Sequence, residues 1–159
     1  MKMTFPLEWY LLFLVSIPQA FLVTLVGLSL FNLKVPETRL VVIAIAGGSL
    51  SFLLRFIPMV FGLQIFIGLF IMTCLTVFVG RIKIFPAVCA ITAGLVIISV
   101  VETSLLPFYL LLSKTSFATL QTNQLITAIL FIPEALIMVF IYGIIQKLKF
   151  RMWDLNNVG

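Results

Sequence analysis

The chain contains no histidine, and only 9% of its 159 residues are charged. Chemistry that needs imidazole as a base, proton shuttle, haem ligand or zinc ligand is therefore excluded. Its single aspartate, Asp154, lies in the polar C-terminal stretch, so an intramembrane aspartate dyad is excluded as well. The two cysteines, Cys74 and Cys89, fall within apolar runs and have no histidine to activate them, which reads as small buried hydrophobes and not as nucleophiles. No residue set suggests a metal or a cofactor, and the expectation is a protein without enzymatic activity. The chain also lacks a polar segment long enough to fold alone, so residues 1–159 form a single domain.

What is present is apolar surface. Hydrophobic residues make up 63% of the chain and the mean hydropathy is +1.30. Water-soluble domains hold about 45–50% apolar and about 25% charged residues. Lipid, not water, must solvate most of this sequence. Five apolar stretches stand between polar breaks: Leu7 to Leu30, Leu40 to Met59, Leu63 to Val79, Ile84 to Leu112, and Gln124 to Gln146. Each is near the roughly 20 residues that cross a bilayer core as a helix. The expected fold is an all-α integral membrane protein of five transmembrane helices. The first stretch is read as a retained helix, because it has no strong basic flank and Pro18 and Gln19 interrupt its centre. A four-span alternative folds the second and third stretches into one re-entrant hairpin around Pro58.

Basic residues set the expected orientation, since short loops rich in Lys and Arg stay on the cytoplasmic side. Lys34 and Arg39 follow the first span, Arg81 and Lys83 the third, and Lys147, Lys149 and Arg151 the fifth. With five spans all of these share one side, placing the N-terminus outside and the C-terminus in the cytoplasm. The opposite side receives Lys2 and Lys114, with Arg55 near it. Though the net charge is +5, the basic residues stand singly at helix ends and form no patch for nucleic acid. Trp9, Tyr10 and Trp153 suit interfacial anchoring, and the sixteen phenylalanines suit core filling and lipid contact.

Ionisable side chains within spans cost about 2.5–3.5 kcal/mol at the bilayer centre, so each needs a reason. Arg55, Glu102 and Glu134 qualify, with Gln19 and Gln64 as polar companions. At the helical rise, Arg55 and Glu102 stand roughly 22 and 27 Å above the inner ends of their spans, whereas Gln19 and Glu134 lie near the midplane. The polar groups thus form an outer-half ladder, with Glu8 and Gln64 at its mouth. Pro18, Pro58, Pro107 and Pro133 occur at similar levels, and each removes a backbone donor. Irregular backbone at such depth is tolerated where it lines a cavity. Three readings of this set remain open: a structural Arg55–Glu102 ion pair, a pocket for an outside ligand, or a proton or ion path. Glu134 is then either neutral in the apolar interior or held for a cationic ligand group. Small residues at packing distance, Ala44 with Gly48 and Ala90 with Gly94, point to close helix contacts within one chain or between two. Ile17-Pro18-Gln19-Ala20 echoes Ile132-Pro133-Glu134-Ala135, but five helices allow no whole-chain duplication.

Residues Ala20 to Leu33, Phe52 to Pro58 with Gly62, Val101-Glu102 with Leu106-Pro107, and Phe131 to Glu134 resemble the membrane sensor region of peptide-sensing and sporulation-type histidine kinases of Gram-positive bacteria. That resemblance implies a multi-helix region in the bacterial plasma membrane that receives an extracellular or membrane-borne ligand, a small molecule or peptide. It implies transmission to a cytoplasmic or membrane signalling partner, or to a second copy in a homodimer. The chain departs from the pattern in having no histidine to phosphorylate. The resemblance therefore implies a sensor module without its kinase, or a relative acting through a partner. A substrate-binding subunit of a multi-component transporter and a structural subunit of a membrane complex are the rival expectations.

Overall fold

The computed structural model describes residues 11–54, 57, 61–113 and 124–148. A π-helical turn, Leu12–Ser16, runs directly into α1, Ile17–Leu30. Then follow α2, Glu37–Leu54; α3, Phe61–Phe78; α4, Ile84–Ser113; and α5, Gln124–Leu148. The described residues are all helical or in the turns between helices, and each helix coincides with one of the five apolar stretches. Lipid offers no hydrogen bonds, so an apolar chain must satisfy its backbone internally, as helices do.

The stretches Leu12–Leu30, Glu37–Leu54, Ile84–Tyr109 and Phe131–Leu148 are long and apolar enough to cross a membrane. Leu63–Phe78 within α3 is a shorter apolar stretch. The outer surface is apolar as well: Phe66 and Phe78 are 71% and 79% exposed. Water would penalise that surface, whereas lipid accepts it. The chain is a helical membrane protein.

The turns follow from local chemistry. Asn32 adopts a left-handed conformation with φ 55° just past α1, where Leu33 N–H donates to the Leu28 carbonyl at 3.0 Å and Asn32 N–H to Ser29 at 3.3 Å. This pattern satisfies carbonyls left over at the helix end, and asparagine tolerates the left-handed region better than most residues. Leu28 and Leu33 also share an apolar cluster across the turn. The Pro36 carbonyl then accepts the Arg39 and Leu40 N–H groups at 3.0 and 3.1 Å, starting α2. Glu37 in its first turn complements the helix dipole. Beyond α3, Arg81 takes φ 56° directly after Gly80.

Helix α1 packs against α2, α4 and α5, while α3 packs against α2 and α4. The first helix in sequence is thus the centre of the bundle. Close backbone contacts fix its neighbours. A methyl group on Gly27 would collide with the Ala90 carbonyl oxygen, and one on Gly94 with the Val23 carbonyl oxygen. Because contacts 27 to 90 and 23 to 94 move oppositely along the chain, α1 and α4 are antiparallel. On the other side, a methyl on Gly48 would meet Ile17 Cα at 2.7 Å and the Ser16 oxygen at 2.8 Å. The small-residue pairs therefore serve contacts within one chain. Ile82 and residues 33 and 35 share a cluster with Leu28, Leu40 and Ala90, so the α1–α2 and α3–α4 turns lie at the same end. Lys34, Arg39, Arg81 and Lys83 gather there.

Candidate functional site

At the opposite end of that antiparallel contact, α1, α4 and α5 bring three polar side chains together. Gln19 Nε2 donates to Glu102 Oε1 at 3.0 Å, bridging α1 and α4. Glu134 on α5 interacts electrostatically with Glu102 and with Tyr109, both on α4. Glu102 is exposed and Gln19 half-buried, whereas Glu134 is only 8% exposed. The buried oxygen Glu134 Oε1 makes no hydrogen bond among the described residues.

The position of Glu134 follows from its helix. Phe131, Glu134, Met138 and Ile145 are the buried positions on the described part of α5, spaced as one helical face. Phe131, Met138 and Ile145 join Leu11, Val15, Val26, Ile98 and Val101 in the largest apolar cluster. A carboxyl group thus occupies a place in an otherwise hydrophobic seam. An unsatisfied polar atom in such a seam costs about 1–3 kcal/mol, more if charged.

A proline stands near these side chains on each of the three helices. Pro18 begins α1 next to Gln19, Pro133 lies inside α5 next to Glu134, and Pro107 lies inside α4 five positions beyond Glu102. Without an N–H, each proline breaks the regular ladder. The widened turn before Pro18 is one consequence: Ile17 N–H reaches the Leu12 carbonyl, the five-residue spacing of a π-helix. Ser16 within it is buried and its hydroxyl unpaired among the described residues. By contrast, Thr103 and Ser104 hydroxyls donate at 2.7 Å to the Ser99 and Val100 carbonyls one turn back. Both lie within about one turn of Pro107, where such back-bonding favours a bend.

The expected site residues fare differently. Gln19, Glu102 and Glu134 converge. Their expected depths differed, but the 3.0 Å contact sets Gln19 and Glu102 at one level. The structure reconciles this because α4 begins beyond the end of α1: Gly27 faces Ala90, about 4.5 and 9 Å from their respective helix ends. The reach of two long side chains takes up the rest. Gln64 is half-buried near the start of α3 and no hydrogen bond among the described residues joins it to this group. Arg55, Glu8 and Pro58 lie outside the described residues, as do Trp9, Tyr10, Lys114 and Trp153. Tyr109 was missed by the sequence reading, although its place seven residues after Glu102 puts both on one face of α4. Ser16 carried no sequence signal, because the π-turn that isolates it is not visible in composition.

A separate groove of about 520 Å³ opens between α3 and α4. Phe66, Leu69, Leu95, Val96, Ser99 and Thr103 line it, but none of Gln19, Glu102 or Glu134 does. Its surface is mostly apolar, as a lipid-facing crevice should be. No group of three or more Cys, Asp or Glu residues capable of holding a metal occurs among the described residues. No protein-family profile, curated protein or solved structure matches the chain.

Proposed function

We propose that this protein is a non-enzymatic sensor in the bacterial plasma membrane, which receives a ligand at the Gln19–Glu102–Glu134 junction and transmits its presence to a signalling partner. The observation that carries the reading is the Glu134 oxygen, unpartnered among the described residues and held in the apolar seam where α5 meets α1 and α4. A side chain serving only to pack those helices would be apolar there. A ligand engaging Glu134 acts on the α1–α4–α5 contact itself, and α5 continues from it for roughly 20 Å to Lys147. That helix is the natural output element.

The topology in this proposal has the N-terminus outside and the C-terminus in the cytoplasm. Clustering of Lys34, Arg39, Arg81 and Lys83 at one end supports it, since basic turns remain cytoplasmic. The junction then faces the outer half of the membrane and the end of α5 faces a cytoplasmic partner. The resemblance to kinase sensor regions agrees with this direction of transmission.

Mass analysis of the intact assembly, released gently from its native membrane, tests the proposal. A stoichiometric kinase or response partner, or a dimer whose subunits rearrange with stimulus, is the expected result. An ATPase-containing partner would replace sensing with transport, and membership of a large structural complex would reduce the junction to packing.

A further inference from the structure

We propose that the junction takes a protonated amine carried on an apolar body, with Glu134 Oε1 accepting one of its N–H groups. This rests on reading the junction as a receiving site and names the chemistry received. Three observations converge on it. Glu134 is more than nine-tenths buried, its Oε1 unpartnered among the described residues, and it interacts with a second carboxyl, Glu102, on the facing helix. Two carboxyls this near one another cannot both stay charged without a cation between them. Gln19 commits its amide N–H to Glu102, so α1 adds no donor toward Glu134 through that bond.

Described cations lie far from this point. Lys34, Arg39, Arg81 and Lys83 occupy the turns at the other end, and Lys147 stands thirteen positions along α5, roughly 20 Å away. The surroundings decide what kind of cation fits. Val101, Leu105, Phe131, Ala135 and Met138 belong to the cluster in which Glu134 is set, so the body behind the charge must be apolar. A bare divalent ion would want six or more oxygen ligands, and the two carboxyls cannot supply them. An ammonium group needs only a few acceptors and brings its own donors. Exposed Glu102 gives the first encounter and buried Glu134 the final contact.

The ammonium group has two chemical sources, a free amphiphilic amine or a phosphatidylethanolamine headgroup. The experiment measures thermal unfolding of the full chain in phosphatidylcholine nanodiscs with added dodecylammonium, dodecyltrimethylammonium or dodecanol, and separately in discs containing phosphatidylethanolamine. The expected result is a rise of about 3 °C or more in Tm with an N–H-bearing amine. Dodecanol and the trimethylated cation should give less than half of it, and Glu134→Gln should abolish it. A rise from dodecylammonium alone identifies a free amine; one from phosphatidylethanolamine discs identifies the lipid. If Glu134→Gln does not fold, Glu102→Gln carries the same expectation. Equal shifts in wild type and variant overturn the proposal, as does stabilisation by sodium alone. An amine response gained only on Arg55→Ala also overturns it, because a guanidinium of the chain would then hold the place. Loss of the amine effect with a signalling partner still bound removes the ligand class but leaves the sensor; an amine effect without a partner does the reverse.

Discussion

Gln19 on α1 and Glu102 on α4, 83 positions apart in sequence, share a hydrogen bond of 3.0 Å. It ties the central helix to α4 on the same side of their glycine contact as the buried Glu134. The bond fixes Glu102 beside the α5 seam, where it faces Glu134 as a group of like charge. Its energetic weight is modest because Glu102 is exposed. Hydrogen bonds between membrane helices average about 0.6 kcal/mol in double-mutant cycles. Gln19→Leu and Glu102→Leu, each of which removes the bond, should singly and combined yield a coupling of about 0.5–1 kcal/mol in denaturant titrations. A coupling near zero would mean that the bond does not hold the helices in register.

Backbone proximity makes a stronger demand on α1 and α4. Gly27→Ala and Gly94→Ala each push a methyl into a carbonyl of the facing helix, at Ala90 and Val23. Backbone cannot yield as a flexible side chain can, and overpacking of this kind costs about 1–3 kcal/mol. Gly68→Ala and Gly143→Ala meet nothing within 4 Å and should change stability by less than about 0.5 kcal/mol. Unfolding midpoints of these four variants in one detergent make the comparison.

Five helices were legible because each apolar stretch is near bilayer length and each break holds charge, proline or asparagine. Their number and limits follow from solvation, which composition records directly. Packing partners are another matter: nothing in Pro18 or Leu22 alone reveals that the first helix is central, because lipid-facing and buried positions are equally apolar. Glu102, Glu134 and Gln19 stood out as polar groups in the wrong solvent. The pairing of Gln19 with Glu102 was not readable, since depth counted along each helix ignores where neighbouring helices begin. Tyr109 shares a helical face with Glu102, but only the packing of α5 brings Glu134 near it.

The shared end of the basic turns leads to a labelling prediction. In a chain with Cys74 and Cys89 replaced by alanine, Lys34→Cys and Ile82→Cys should react with an impermeant maleimide only from the cytoplasmic side. Lys114→Cys should react from outside. Labelling of Lys34→Cys and Ile82→Cys from opposite sides would refute the arrangement in which Lys34, Arg39, Arg81 and Lys83 lie together.

Removing the buried acid should separate fold from function. Glu134→Gln keeps the shape of the side chain and relieves its interaction with Glu102. Stability should stay within about 1 kcal/mol of wild type or rise, since the substitution leaves nothing in the apolar seam that can become charged. Glu134→Lys, which puts an ammonium group on a longer side chain in the same seam, should lower stability by more than about 2 kcal/mol. Circular dichroism melts of both variants in nanodiscs provide the check.

The most direct measurement concerns the Glu134 carboxyl itself. Infrared difference spectra of the 13C-glutamate-labelled chain in phosphatidylcholine membranes, with and without dodecylammonium, report its hydrogen bonding. A band that shifts on amine addition and is missing from Glu134→Gln is the result this account predicts. Spectra unchanged by the amine, or changed equally in the variant, would contradict it.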